Sequence, residues 1–334
     1  MLVSAPHPGD GVAITNQDFK LRQVPSDASE QGGDNPPISS GPRLIQSVSR
    51  DMARLVAEEL PAGLYIVATP IGNLADITLR ALSILQRADI VYCEDTRHSS
   101  KLLQHFSIHA TTRPLHDHNE DGERGRVLRD LENGKRIALI SDAGTPLISD
   151  PGFKLVRDCA AAGHAIHSIP GPSSAITAIA ASGLPTDAFF FAGFLPPKQA
   201  ARRARLSDLK SIPGTLIFFE APQRAADTLA DMVDLLGSRD AVMARELTKM
   251  HEELARGSLD VLAAAVKLRD LKGEVVLLVG PATAAEATDD DIAAKLRAAL
   301  QSMSLKDAAK AVADALGVQK SRVYEIGLKI KDGA

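Results

Sequence analysis

The feature that most constrains the fold is a short apolar run that opens into a loop rich in Asp, Gly and Pro. Residues 137–140 read Ile-Ala-Leu-Ile, and residues 141–152 read Ser-Asp-Ala-Gly-Thr-Pro-Leu-Ile-Ser-Asp-Pro-Gly. A helical pattern follows over residues 153–162, so the segment predicts a buried strand, a turn and a helix. Ligands of open α/β sheets bind outside the carboxyl ends of strands, where Asp142 and Gly144 stand. An ordinary turn would use the same residue types, and this segment alone favours neither interpretation.

The alternation of strand and helix continues along two blocks of the chain. The first block predicts strands at residues 64–68, 90–93, 137–140 and near 166, with helices near 77–85, 119–131, 153–162 and 173–181. The second predicts strands at 189–191, 215–219, 241–243 and 275–279, with helices from Lys198 and Pro222. Such alternation is typical of α/β domains with parallel or mostly parallel sheets. We place the domains at residues 62–185 and 189–281.

The composition of the first 55 residues and the small number of cysteines restrict the classes of protein to which the chain can belong. Residues 1–55 mix Pro, Gly, Ser, Asp and Gln without a sustained period, which predicts a disordered extension because so little apolar surface can be buried. No apolar run reaches the roughly 18–20 residues that span a bilayer, and a signal peptide is not recognisable. Cys93 and Cys159 provide neither a disulfide framework nor a zinc cluster. We therefore expect a cytoplasmic protein without a membrane partner.

The end of the chain has a different pattern. Residues 289–332 are helical throughout and predict a helix-turn-helix, with Ser304 and Asp307 as a capping pair and Gly317 as a C-cap. From residue 292 onward there are eight basic and four acidic residues. This tail either contacts nucleic acid or is a helical cap that packs on its own chain or on a dimer mate.

Several kinds of site are missing from the sequence. No G-x-G-x-x-G follows a strand, and neither a phosphate-binding P-loop nor H-E-x-x-H occurs. His116 and His118 lack a third ligand, so no metal is predicted. What remains is a set of loops at strand ends, built of small residues: 69–73, 94–97, 141–150, 170–174, 220–224, 245–249 and 273–275. Such a lining suits a mid-sized polar cofactor in a cleft.

Six segments carry a resemblance. They are Leu-Tyr-Ile-Val-Ala-Thr-Pro-Ile-Gly-Asn-Leu at 64–74, Cys-Glu-Asp-Thr-Arg at 93–97, Leu-His-Asp-His-Asn-Glu at 115–120, Ser-Asp-Ala-Gly-Thr-Pro at 141–146, Pro-Gly-Pro-Ser at 170–173 and Ala-Arg-Glu-Leu-Thr-Lys at 244–249. Over residues 64–279 the chain resembles the tetrapyrrole-methylase-like (class III) family of S-adenosylmethionine enzymes, in its rRNA-methylating branch. The helical tail resembles the helix-turn-helix that such enzymes carry.

The resemblance implies a function and a set of cofactor residues. It implies 2′-O-methylation of a cytidine ribose in the decoding centre of 16S rRNA, by a homodimer whose S-adenosylmethionine lies in the cleft between the two α/β domains. The cofactor residues carried over are Pro70, Asp142, Ala143, Gly144, Ile148, Ser149, Ser173, Ser174, Ala175, Glu220, Ala221, Leu247, Glu274 and Val275. This chain has Asp-Ala-Gly-Thr-Pro where the family has Gly-Asp-Pro, so the resemblance assigns individual backbone contacts only to within a residue or two.

Methyl transfer from a sulfonium needs alignment of the reacting atoms, and a positioned base would add about 10²–10⁴-fold. The candidate bases are Glu94, Asp95 and His116, and the sequence does not choose among them. Their other interpretation is that they fix loops or hold Arg97 in an ion pair.

Net charge is −4, so an enzyme acting on RNA must concentrate its positive charge locally. The candidate RNA-binding residues are Lys198, Arg202, Arg203 and Arg205, and in the tail Lys306, Lys310, Lys320 and Arg322. A solvated helix face is the other explanation for the first group. Two further functions stay open, a methyltransferase of a tetrapyrrole and a non-catalytic factor that binds the ribosome.

Overall fold

A computed structural model of the protein describes residues 41–282, 288–316 and 318–331. By its internal contacts the chain divides into two units, Met1–Asp51 and Met52–Ala334. Helix α1 spans Gly41–Ala57, so the prediction of disorder through residue 55 is wrong from residue 41 onward. The rest of that predicted extension lies outside the described residues.

Helix α1 forms because its apolar residues have a helical period, although the segment as a whole is rich in polar residues. Leu44, Ile45, Val48, Met52 and Leu55 recur at helical spacing, which forms an apolar stripe along one side of the helix. The polar residues between them, rather than an absence of period, produce the low mean hydropathy of this segment.

Five parallel strands form the first sheet of the second unit, and they are β1 (Gly63–Val67), β2 (Ile90–Cys93), β3 (Thr112–Pro114), β4 (Arg136–Leu139) and β5 (Ile166–Ile169). Helices cover them: α2 (Leu79–Arg87), α3 (Thr96–His105), α4 (Glu120–Glu132), α5 (Phe153–Ala161) and α6 (Ser174–Ser182). The four predicted strands are confirmed. Strand β3 and helix α3 were not predicted from the sequence. Strand β3 is only three residues long and ends in Pro, which gives it a weak strand pattern.

The strand order β3-β2-β4-β1-β5 sets the location of the site. β1 and β4 are neighbours, yet the chain leaves β1 towards β2 on one side and leaves β4 towards β5 on the other. Connections that leave adjacent parallel strands in opposite directions open a crevice at the carboxyl ends of those strands. The loops after β1 and β4 border this crevice.

The second sheet is mixed, and its strands are β6 (Phe189–Phe194), β7 (Thr215–Glu220), β8 (Asp240–Arg245), β9 (Glu253–Ser258) and β10 (Val275–Val279). Its order is β6-β7-β10-β8-β9, with β6 parallel to β7 and the other neighbours antiparallel. Three helices pack on it: α7 (Gln199–Leu209), α8 (Ala225–Leu236) and α9 (Leu259–Lys267). Strand β9 and helix α9 were not predicted from the sequence.

Helix α6 packs against the second sheet although it follows the last strand of the first. Ala175 and Ile179 share a buried cluster with Ile217, Val242 and Val276 of that sheet. Arg256 of β9 also donates to the carbonyl oxygens at the end of α6, Ala181 and Ser182. The predicted domain boundary falls between α6 and β6, while α6 itself ties the two sheets together.

The tail consists of α10 (Asp289–Ala299), α11 (Leu305–Leu316) and α12 (Lys320–Lys331), which share one apolar core. The Ser304 hydroxyl accepts from Asp307 N at 3.3 Å and donates to the Asp307 carboxylate at 2.6 Å, as predicted for this helix start. The predicted C-cap, Gly317, lies outside the described residues. Among the helices that the structure describes, none is both long and apolar enough to cross a membrane.

Candidate active site

Two loops at the crevice are tied together by an isolated β-bridge. Thr69 N donates to Gly144 O at 2.8 Å, and Gly144 N donates to Thr69 O at 3.0 Å. The Thr69 hydroxyl donates to Ser141 O at 3.2 Å. Gly144 has φ +82°, and a Cβ there would lie 3.4 Å from Ile71 Cγ2, so glycine suits both the backbone and the close approach. The predicted cofactor loops after β1 and β4 therefore form one structure, with Pro70 buried inside it.

The third predicted cofactor loop joins the same structure. The Thr145 hydroxyl donates to Pro172 O at 3.2 Å, which links the Asp142 loop to the loop after β5. Ser173 occupies the N-cap position of α6, as predicted, but its side chain makes no capping hydrogen bond. Its hydroxyl is therefore available to a ligand, and Ser174 beside it is half-buried.

Asp142 is half-buried at the centre of these loops, and its Oδ1 accepts from the backbone N of Asp95 at 3.2 Å. The Asp95 carboxylate in turn caps α3 by accepting from Arg97 N at 2.8 Å, and it pairs with the Arg97 guanidinium at 3.3 Å. These contacts, the backbone one first, hold the pKa of Asp95 below its ordinary value. Asp95 thus takes the loop-fixing role that was the alternative for it, and a lowered pKa makes it a weak base.

Two other carboxyl groups have the opposite shift. Burial raises the pKa of Glu94, and the nearby charges of Asp142 and Asp117 raise it further. Burial also raises the pKa of Asp150 to about 6, aided by Glu94 and Asp142 and opposed by a hydrogen bond from Ser141. A raised carboxyl pKa in a cleft is a mark of functional sites. Asp150 was not among the site residues predicted from the sequence, although it ends the same loop as Asp142.

His116 lies close enough to Glu94 to influence its carboxyl group. Its backbone N donates to Asn119 Oδ1 at 2.8 Å, and its ring is edge-on to His118 with centroids 6.1 Å apart. Its buried Nδ1 finds no hydrogen-bond partner among the residues described. Within those residues, no group of three His, Cys, Asp or Glu side chains is arranged to hold a metal ion.

Loops from the two sheets face each other across the crevice. Four residues that are not glycine have positive φ there: Leu147 (74°), Ser149 (68°), Glu246 (51°) and Thr248 (66°). A Cβ on Gly193 of β6 would lie 3.3 Å from Ser149 Oγ, and one on Gly72 would collide with Lys249. Residues with strained backbone of this kind cluster at active sites and ligand-binding sites. Ala143, Ile148 and Ser149, which were predicted to contact the cofactor, are exposed.

The cofactor residues that the resemblance implies in the second sheet have structural contacts of their own. The Glu220 carboxylate is fully buried, where it accepts from Ala221 N and the Thr228 hydroxyl and pairs with Arg224. Its side chain therefore holds the loop, and the backbone of Ala221 is also engaged, because its N–H donates to Glu220 and its carbonyl accepts from Arg224 N. Leu247 is buried against Ile71 and Ala175, in the same apolar cluster.

The polar groups of Glu274, a predicted cofactor residue, are also engaged within the protein, and the neighbouring Val275 is buried. Glu274 N donates to the Glu246 carboxylate at 2.9 Å, and Glu274 O accepts from Glu246 N at 3.0 Å. The Glu274 carboxylate pairs with Lys249 at 3.1 Å. Val275 is buried in β10 between Glu220 and Arg245. These residues support the loop of Leu247 rather than present free polar groups.

The first basic group needs a correction. Arg202 is 5% exposed and its guanidinium lies 2.7 Å from the carboxylate of Asp231, so it is not available to a phosphate. Arg203 pairs with Asp231 and Asp234 at 2.8 and 3.0 Å. Lys198 is exposed and Arg205 is half-buried. Of the four predicted RNA contacts, Lys198 and Arg205 therefore stay available, whereas Arg203 is held by two carboxylates.

The tail keeps most of its predicted cations at the surface. Lys306, Lys310 and Lys320 are exposed. Arg322 forms an ion pair with Asp289 at 2.7 Å, so part of its charge is used to join α12 to α10. The three lysines remain the candidates for phosphate contact in this part of the chain.

Two cavities lie at opposite edges of the first sheet. One, of about 450 Å³, borders the crevice and is lined by residues of the loops after β1 and β5 and by Thr248. The other, of about 770 Å³, lies at the amino ends of the strands, beside the ion pair of Arg136 with Asp89. Ligands of α/β sheets bind at the carboxyl edge, so the smaller cavity belongs to the site.

Comparisons with known proteins agree on one family. Residues 63–263 match the family model of Tetrapyrrole (Corrin/Porphyrin) Methylases, and residues 286–331 match that of the RsmI C-terminal HTH domain. The chain is 50% identical over 279 residues to ribosomal RNA small subunit methyltransferase I of Mesorhizobium japonicum, covering 83% of this chain and 95% of that one. For the protein of that name from Escherichia coli O157:H7, the values are 48% over 277 residues, 82% and 97%.

Solved structures show the same fold at lower identity. Cobalt precorrin-4 methyltransferase is similar with a TM-score of 0.50 and 20% identity, over 65% of this chain and 94% of that one. Diphthine synthase is similar with a TM-score of 0.51 and 15% identity, over 65% and 89%. At such identities the likeness concerns the fold alone.

Proposed function

Because the chain belongs to the tetrapyrrole methylase family, and within it to the ribosomal RNA small subunit methyltransferases I, we propose that it methylates the 2′-hydroxyl of a cytidine ribose in the decoding centre of 16S rRNA, with S-adenosylmethionine as methyl donor. The observation that carries the proposal is the bridge between Thr69 and Gly144. It joins the predicted cofactor loops at the crevice of the first sheet, with Asp142 beside it.

The loops fit S-adenosylmethionine in their chemistry. The Asp142 carboxylate and the Ser173 hydroxyl are polar groups suited to the ribose and amino-acid parts of the cofactor. Ile71, Ala175 and Leu247 form an apolar wall suited to a flat ring. When bound, S-adenosylmethionine supplies a methyl group that its sulfonium makes electrophilic.

The residues of the chain then need to position the ribose and accept its proton. Holding the reacting atoms in line contributes several kcal/mol, up to about 7–11 in the best cases. Glu94 and Asp150 are the carboxylates whose raised pKa brings them closer to the pH of the cell, so we propose that one of them accepts the proton. His116 stays a third candidate. Asp95 is set aside because its carboxylate caps α3.

RNA contact is assigned to the cations that the fold leaves at the surface. We propose that Lys198 and Arg205 beside the second sheet, with Lys306, Lys310 and Lys320 of the tail, contact phosphates. The tail also argues against a tetrapyrrole as substrate, since a small-molecule enzyme has no use for a basic helical appendage. A homodimer and a cytoplasmic location stay predictions, and light scattering of the purified protein tests the first.

The test uses small subunits from a strain that lacks this modification. The purified protein and S-adenosylmethionine should add a methyl group to the ribose of one cytidine, as located by mass mapping of 16S rRNA fragments. Methylation of a base instead of a ribose, or methylation of a tetrapyrrole and not of the subunit, would contradict the proposal. Boiled enzyme and omission of the methyl donor are the controls.

A further inference from the structure

The cavity of about 450 Å³ beside the crevice has a lining unlike that of a phosphate site. Its walls are apolar at Ile71, Pro172 and Ile176, and its polar groups include a carboxylate, Asp76, and hydroxyls such as that of Thr177. Among the described residues that line it there is no Lys, Arg or His. A ligand that fits here is neutral, flat and able to donate hydrogen bonds.

The cavity adjoins the predicted cofactor loop. Ile71 and Pro172 line it, and they are also the residues closest to a Cβ built on Gly144, at 3.4 Å from Ile71 Cγ2 and 3.9 Å from Pro172 O. A ligand in the cavity would therefore lie next to the loop that holds Asp142. This is the location that a methyl acceptor requires.

Asp76 is held in place by caps on both sides of it. It ends a short 3₁₀ helix, Leu74–Asp76, that Asn73 caps by accepting from Ala75 N at 3.1 Å. Thr78, two residues later, caps α2 by accepting from Ala81 N at 3.1 Å. The Asp76 carboxylate itself has no hydrogen bond or ion pair with any residue that the structure describes. Its backbone is fixed, and its carboxylate is exposed to solvent at the mouth of the cavity.

Two further observations indicate that a ligand belongs here. Thr248 lines the cavity with the strained φ of +66°, and its buried hydroxyl has no hydrogen-bond partner within the described part of the chain. A buried polar atom without a partner costs free energy, which a ligand can offset. Ile176 is 51% exposed on the first turns of α6, where it forms an apolar wall that lacks a neighbour.

We propose that this cavity receives the base of the nucleotide whose ribose is methylated, and that Asp76 accepts a hydrogen bond from the exocyclic amine of cytosine. The proposal rests on the proposed function. Carboxylates read cytosine through this amine, and enzymes that act on one nucleotide commonly take it out of its stack into a pocket with apolar walls. Pro172 and the exposed Ile176 would contact the faces of the ring, and Asp76 would select cytosine over uracil.

The central test compares wild type with Asp76→Asn, since an amide can donate to the uracil oxygen where the carboxylate cannot. Asp187→Asn is the matched control, because Asp187 is exposed and does not line the cavity. Cofactor affinity is measured by calorimetry, and single-turnover methylation is measured on reconstituted small subunits with cytidine or uridine at the target position. For Asp76→Asn we expect unchanged cofactor affinity, a rate on cytidine lower by about 10- to 100-fold, and a smaller preference for cytidine over uridine.

Ile176→Trp is a second variant at a half-exposed position. By filling the cavity it should lower the methylation rate and leave the affinity for S-adenosylmethionine unchanged. Weakened cofactor binding in Asp76→Asn would overturn the proposal, because the amine bound there would then be that of the cofactor's adenine. Wild-type rates and selectivity in both variants would also overturn it. If wild type itself methylates no ribose of the subunit, the proposed function fails first, and this inference fails with it.

Discussion

The Asp142 carboxylate accepts a hydrogen bond from the backbone N of Asp95 at 3.2 Å. The residue expected to hold the cofactor therefore also fixes the loop that begins helix α3. One side chain joins the ends of β2 and β4, which are neighbours in the first sheet. This relationship makes it possible to separate the charge of Asp142 from its hydrogen bond.

Asp142→Ala should weaken the binding of S-adenosylmethionine by about tenfold or more, since a charge-assisted hydrogen bond contributes about 1.5–3 kcal/mol. Asp142→Asn keeps an acceptor for Asp95 N and should preserve the melting temperature while it still weakens binding. Calorimetry and thermal melting measure the two effects. Wild-type affinity in both variants would remove this loop from the cofactor site.

The carboxyl of Asp150 predicts a pH dependence of stability. Burial raises its pKa from 3.8 in the unfolded chain to about 6 in the folded protein, so the folded state binds the proton more tightly. The associated stability is present below about pH 4 and is lost as the pH rises through about 6. Asp150→Asn should therefore melt higher than wild type at pH 7.5 and equally at pH 3.5. A higher melting temperature for wild type at pH 7.5 would show that the charged form is stabilised instead.

The same residue gives a kinetic prediction. If Asp150 accepts the ribose proton, the single-turnover rate should rise with pH around 6 and level off above it, because only the ionised form is a base. Asp150→Asn should lower the rate and remove this inflection, whereas Glu94→Gln should keep it. The reverse pattern would assign the proton to Glu94.

Arg202 and Arg205 lie on one helix but should differ in their effects. Arg202→Ala leaves the buried Asp231 carboxylate without its closest partner, and loss of one member of a buried pair costs about 3–5 kcal/mol of unfolding free energy. Arg205→Ala should leave stability within about 0.5 kcal/mol and weaken binding to small subunits. Urea unfolding and a filter-binding assay separate the two. A stable Arg202→Ala protein that fails to bind subunits would restore Arg202 to the RNA-contacting set.

The tail lysines predict a salt dependence. Each phosphate contact contributes about 0.7–0.9 to the slope of log affinity against log salt concentration. Changing Lys306, Lys310 and Lys320 together to Ala should reduce the slope for small-subunit binding by about 2–3 and leave cofactor affinity unchanged. Lys267→Ala, an exposed lysine at the end of α9, is the control. An unchanged slope in the triple variant would mean that the tail does not contact RNA.

Most of the secondary structure in the two α/β blocks could be predicted because it depends on local pattern. Buried strands such as β10, with Val-Val-Leu-Leu-Val, are continuous apolar runs, and small polar residues mark the loop after each strand. Short or half-exposed elements were not predicted from the sequence. Strand β9, for example, reads Glu-Leu-Ala-Arg-Gly-Ser and has no fully buried residue. Helix α1 was not predicted because polar residues separate the apolar residues of its stripe.

The sequence by itself determined which loops end strands and which residue types they carry, since periodicity and turn chemistry act over a few neighbouring residues. Only the tertiary structure decided how those residues are used. Arg202 meets Asp231 from 29 residues away, α6 packs on the sheet that follows it, and Asp150 acquires its raised pKa from burial among carboxylates of other loops. Burial, charge proximity and hydrogen-bond satisfaction depend on distances in space, and a linear pattern does not contain those distances.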